Sequence, residues 1–424
     1  MNAPTVDPDI SARCAVRCSA RRGSGATVSG ARAVLLLLCV LVAAGCGATT
    51  PHVQQTHTVT PAASFVPTAV VGAVSSLHMF DATTGWAATS DQALRTTDGG
   101  LRWQDATPPA PPGTSQSSLT SLAVFPRSAA EAWVARGINA AGSSAPQSAI
   151  SHTTDGGLTW RSITLPVFAV AQITFADTEH GWMLADLDTA DGEQGVDIFR
   201  TTDGGLTWTK VASASDHPGA LPLAGHKTGL TFRDATTGWA TGAGPLDLAS
   251  AVPGDAWLFK TQDGGATWRR EPLALPASFA QEPWFYIAGV LPAVFFSPEV
   301  GVLPVALGSS SAGGVVLTLV YVTHDGGATW VAATPAETVP GAVSLLDPSH
   351  WWLDADSNGD AAPLSTADGG QHWTMLPPTA PFVHVSALSF VSTTLGWAID
   401  SAGLLRTDDG GNTWTVLAPA SAAG

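Results

Sequence analysis

One eight-residue motif recurs seven times along this 424-residue chain, and no other feature constrains the fold as strongly. It reads TTDGGLRW from Thr96, TTDGGLTW from Thr153 and from Thr201, TQDGGATW from Thr261, THDGGATW from Thr323, TADGGQHW from Thr366 and TDDGGNTW from Thr407. The aspartates are Asp98, Asp155, Asp203, Asp263, Asp325, Asp368 and Asp409, and the closing tryptophans are Trp103, Trp160, Trp208, Trp268, Trp330, Trp373 and Trp414. Successive aspartates lie 57, 48, 60, 62, 43 and 41 residues apart, the pattern of a fixed module carrying loop insertions. Asp followed by two glycines suits a tight turn at positive φ, where the carboxylate can accept backbone N–H groups. The tryptophan offers a large face for packing against a neighbouring unit.

A weaker Gly-Trp motif precedes the boxes, clearest at Asp81–Trp86, Asp234–Trp239 and Ser392–Trp397. Trp133, Trp182 and Trp352 take the same place in three other units, whereas the fifth reads Gly301-Val302. In the last unit, Val385–Phe390, Gly396–Ile399, Leu404–Thr407 and Thr413–Leu417 read as four short strands separated by turns. No long segment has helical periodicity. The expected fold is therefore all-β: a seven-bladed β-propeller of four-stranded antiparallel blades over residues 64–420.

The T-x-D-G-G-x-T-W motif resembles the Asp-box, or bacterial neuraminidase repeat. The full unit, with Gly-Trp ahead of the box, is most similar to the photosystem II stability/assembly factor family of seven-bladed propellers. That resemblance implies an extracytoplasmic, non-enzymatic scaffold for a membrane or cell-surface protein, with the partner's identity open. Asp-boxes also occur in sialidases and xyloglucan hydrolases, so a glycoside hydrolase acting on surface glycans is the alternative. Sialidase-like chemistry calls for a tyrosine nucleophile, and the chain offers only Tyr286 and Tyr321.

The N-terminus reads as an export signal. Five arginines (Arg13, Arg17, Arg21, Arg22, Arg32) precede a twelve-residue apolar run, Ala33 to Ala44, too short to span a bilayer. Ala43-Ala44-Gly45-Cys46 resembles a lipoprotein cleavage site, which implies a signal peptide over residues 1–45 and a lipid on Cys46. The other three cysteines, Cys14, Cys18 and Cys39, lie inside the signal, so the lipid accounts for the one left behind. Residues 46–63 then read as a flexible tether, and the location as the outer face of a bacterial cell membrane.

Net charge is −16 with three lysines, which disfavours nucleic acid. A basic or ionisable residue stands three positions before the box aspartate in five units: Arg95, His152, Arg200, Lys260 and Arg406; Val322 and Ser365 replace it in the fifth and sixth. Read as one arc, these guide an acidic partner; read singly, they are solvated strand positions paired with nearby acids. Trp284, Phe285 and Tyr286, in the apolar stretch Leu273–Val294, form either an exposed binding loop for a peptide or glycan, or local core. Asp354, Asp356, Asn358 and Asp360 have the alternate spacing of a calcium loop but lack its late glutamate, and Asn358-Gly359 alone makes a good hairpin turn. No cofactor is otherwise implied, and the chain reads as a monomer.

Overall fold

Val, Thr, Leu and aromatic residues in short runs between Gly, Asp and Ser turns favour hairpins, and the computed structural model of the chain is built from them. It describes residues 58–61, 67–68, 74–139, 146–190, 192–244, 256–282, 284–310, 314–336, 340–355, 363–376, 385–400 and 403–419. Among these, the α-helical content is one turn, Ala277–Ala280. The segment read as a signal peptide, and Cys46, lie outside the described residues.

Each repeat unit is an up-and-down meander. In the first unit Ser76–Met79, Gly85–Ala88, Ala93–Thr96 and Trp103–Asp105 pair in that order, all antiparallel. The last unit pairs Ala387–Phe390, Gly396–Asp400, Gly403–Thr407 and Thr415–Pro419, within two residues of the sequence expectation. The third, sixth and seventh units are separate four-stranded sheets. The fourth and fifth are joined in one nine-stranded sheet by a single bridge, Ala243 to Gly289. In units two to five the pairing of the first two strands shifts by one residue, at Thr120/Leu122, Val170/Gln172, Lys227/Gly229 and Ile287/Gly289. A bulge at this position increases the local twist.

First strands of neighbouring units are tied through side chains. Gln172 accepts from the Leu230 N–H, Thr231 donates to the Ala293 carbonyl (2.8 Å), and Ser344 accepts from the Phe390 N–H (2.9 Å). Ser389 accepts from the Met79 N–H at 3.0 Å, joining the seventh unit to the first across 310 residues of chain. The Asp-box turns and the turns before Gly-Trp share one face.

Two outer edges carry a fifth strand. Thr58–Pro61 pairs with the outer strand of the second unit and Pro67–Thr68 with that of the first. Thr58–Pro61 falls in the span read as tether. An unpaired outer edge offers a row of N–H and C=O groups that a passing Thr-Val-Thr segment can satisfy.

Candidate functional site

In each box the aspartate is hydrogen-bonded within its own turn. In the third, Thr201 Oγ1 donates to Asp203 Oδ1 (2.7 Å) and accepts from the Gly205 N–H (2.9 Å). Asp203 also accepts from the Thr207 N–H (2.9 Å) and hydroxyl (2.6 Å). Gly204 and Gly205 sit at φ +69° and +83°, the conformation the sequence motif requires. For Asp203 burial pushes the pKa up, but the hydrogen bonds from Thr207, Thr201 and the Leu206 amide together outweigh it and the net shift is downward. The Thr329 hydroxyl and amide hold Asp325 well below the usual carboxylate range, and the His372 amide and ring do the same for Asp368.

A depressed folded-state pKa contributes stability that is present above the unfolded value, near pH 4, and lost as pH falls below it. The aspartate contribution is therefore expected to be constant above about pH 5, and the melting temperature to drop steeply below about pH 4. A smaller fall below about pH 6.5 is expected from His78 and His152, which burial holds neutral in the folded state. Thermal melts across these pH values check this; an unchanged transition at pH 3 contradicts it.

The Gly-Trp motif seals one unit to the next. Trp182 stacks on Phe232 of the following unit (ring centroids 3.5 Å apart) and donates from Nε1 to the Gly264 carbonyl of that unit's box (2.8 Å). Trp352 does the same with Phe390 and Gly410, and Trp397 reaches Gly99 in the first unit. The glycine before the tryptophan is required because a Cβ at Gly181, Gly238 or Gly396 would overlap Phe175, Phe232 or Phe390 of its own unit. Box tryptophans meet those phenylalanines edge-on, as in Phe232–Trp268 and Phe390–Trp414.

The proposed basic arc lies in these seams. Arg200, Lys260 and Arg406 sit over the Trp182, Trp239 and Trp397 rings at 5.7, 5.0 and 5.6 Å. Arg200 donates to the Ala235 carbonyl and Arg95 to the Ala129 carbonyl, both at 3.0 Å and both in the next unit. Lys260 donates to the Gly327 carbonyl, and Arg406 to Asp408 (2.8 Å). His152 stacks on Trp133 (4.3 Å) and bonds Glu131. Arg95, Arg200 and Lys260 thus bond across the junctions between units, while His152 and Arg406 bond within their own units beside the sealing tryptophans. Recurrence at one repeat position is the sequence signal for this shared placement.

The junction between the fifth and sixth units departs from the pattern. Val302 replaces the sealing tryptophan and Val322 the cation. Trp351, fully buried, packs with Val302 and Val320 in the vacated core, its Nε1 bonded to the Asp347 carbonyl. Outside it a cleft of about 650 Å³ opens, bordered by Val322, Asp325, Val331, Pro348, Asp368 and Gln371 among others. Val331 is 68% exposed. The sequence carried the sign of this cleft in the two replacements that fall together in one unit.

No family model and no curated protein matches the chain. Solved structures do. The GH74 xyloglucanase from Xanthomonas campestris superposes with a TM-score of 0.54 at 14% identity, covering 86% of this chain and 55% of that one. For the GH74 enzyme from Niastella koreensis the values are 0.52, 18%, 84% and 55%. YCF48 from Cyanidioschyzon merolae gives 0.50 at 16% identity, over 81% of this chain and 99% of that one. The fold is a β-propeller. The chain spans about half the length of each GH74 protein. At these identities the likeness concerns the fold alone.

The aromatic trio lies on the propeller's body more than beside it. Phe285 and Tyr286 begin the first strand of the fifth unit, Phe285–Val290, paired with Gly301–Ser309. Part of the apolar stretch Leu273–Val294 is thus that unit's inner strand, as its β-prone composition allows. Trp284, just before it, is 40% exposed. Tyr321 is fully buried, donates to the Ala274 carbonyl, and has its phenol pushed up to about 12 by burial. Asp354 lies in the strand Trp351–Ala355 and is buried, while Asp356, Asn358 and Asp360 lie outside the described residues. Among the described residues no cluster of three or more metal-ligating side chains occurs. Buried Lys227 donates to the carbonyls of Gln194, Leu223 and Gly225, and burial pushes it down to about 8. It pins the loop before its own strand.

Proposed function

We propose that this chain is a seven-bladed propeller, lipid-anchored outside the cell membrane, that binds a protein partner and does no chemistry on it. The cleft between the fifth and sixth units carries this reading. It is open and apolar-walled, and its two carboxylates, Asp325 and Asp368, are held ionised by turn hydrogen bonds. A glycosidase needs one carboxyl kept protonated as general acid, which neither residue is placed to be. Burial raises Asp186 and Glu271 instead, but Asp186 is bonded by Gln194, and Glu271 accepts from Trp239 inside a seam. The count of seven rests on the seven boxes, on the single bridge joining units four and five, and on the Ser389–Met79 and Trp397–Gly99 links between the last unit and the first.

The anchor rests on the basic stretch, the apolar run and Cys46. Cys46→Ser is expected to move the protein from the membrane fraction to the soluble extracytoplasmic fraction; retention in the membrane would remove the lipid reading. For the partner, crosslinking on intact cells is expected to capture a membrane or surface protein. Purified protein incubated with sialosides, xyloglucan and β-glucans is expected to release no product. Turnover abolished by changing a cleft carboxylate would replace this reading with the hydrolase.

A further inference from the structure

We infer that the cleft between the fifth and sixth units is a receptor for an arginine side chain presented on an extended segment of the partner. This rests on the protein-binding reading above and specifies its chemistry. The argument comes from the protein's own repeats. At the first–second and third–fourth junctions an arginine of one unit donates to a carbonyl four residues before the next unit's sealing tryptophan, Ala129 before Trp133 and Ala235 before Trp239. The equivalent residue ahead of Trp352 is Pro348, and it borders the cleft. The register is fixed by the residue that follows: Gly156, Gly264 and Gly369 donate to Ala130, Thr236 and Ser349 in turn. The receiving half of the junction is therefore retained, while Val322 stands where the arginine would originate.

The remaining lining suits the same guest. Asp325 and Asp368 supply negative charge beside the Pro348 backbone, and the whole chain is at −16. Val322, Val331, Ala332 and Ala333 form an apolar wall for an aliphatic stem. A guanidinium, with five donors in a planar fork, can reach a carbonyl and a carboxylate together, which an ammonium does less well. A volume of about 650 Å³ also leaves room for residues flanking the arginine.

The test uses the full-length protein in detergent and a fluorescein-labelled peptide, Gly-Ser-Val-Arg-Val-Ser-Gly, compared with its citrulline and lysine counterparts by fluorescence anisotropy. The arginine peptide is expected to bind about 10- to 100-fold more tightly than the neutral citrulline peptide, with lysine between them. Val322→Arg supplies the missing side chain from within and is expected to abolish binding without lowering the melting temperature. Should that variant misfold, Val331→Lys at the exposed rim is expected to weaken the arginine peptide about tenfold by repulsion. Equal affinity for arginine and citrulline peptides, no binding of either, or unchanged binding by the folded variants overturns the inference. The partner-binding reading is judged separately by crosslinking on cells. A partner captured equally by wild type and Val322→Arg sinks the arginine receptor alone, whereas arginine-peptide binding with no partner captured sinks the scaffold reading.

Discussion

Trp182→Ala is expected to destabilise the protein by about 3–5 kcal/mol, the range for removing a fully buried large aromatic. The ring has no exposure, stacks on Phe232 of the next unit and lies beneath Arg200. Its loss opens a cavity between two sheets and strands the Gly264 carbonyl, which now accepts from Nε1. Trp182→Phe keeps part of the stacking and loses the hydrogen bond, so a loss of about 1–2 kcal/mol is expected. Urea unfolding followed by tryptophan fluorescence and far-ultraviolet circular dichroism measures both. Equal losses for the two variants would mean that the hydrogen bond, and not the packed ring, holds the seam.

Gly327→Ala is expected to cost about 2–5 kcal/mol, combining left-handed backbone strain with overpacking. Gly327 lies at φ +77°, an added Cβ would overlap Trp239 Cζ2, and its carbonyl accepts from Lys260 of the preceding unit. Gly113 separates the two contributions. It has nearly the same φ, +81°, and nothing within 4 Å of an added Cβ, so Gly113→Ala should cost only about 1–2 kcal/mol. Paired melts of the two variants give the difference directly. If they fall together, the seam tolerates the extra methyl and the tight fit assigned to the box glycines is wrong.

The strand order was legible because every unit repeats the same punctuation. Gly204-Gly205 and its six counterparts have positive φ wherever the motif occurs, and a turn of that kind depends on residues close in sequence. The site was legible only in part. Arg95, Arg200, Lys260 and Arg406 share a repeat position and were grouped by it, but spacing along a strand does not tell whether a side chain faces solvent or the next sheet. Phe285 and Tyr286 were hidden by the length of Leu273–Val294, since an inner strand and a long connection read alike when the flanking turns are irregular.

By itself the sequence determined the module, its turns and the recurrence of its tryptophans, because these follow from local backbone preference and the periodic burial of large rings. Tertiary structure alone decided what the junctions do with charge. Arg200 becomes a seam residue because Ala235 of the next unit lies beside it, and the place where Val302 and Val322 coincide becomes a cleft because Trp351 refills the core but leaves the outer half of that junction open. Such contacts join residues tens of positions apart, and their geometry exists only once neighbouring sheets are packed.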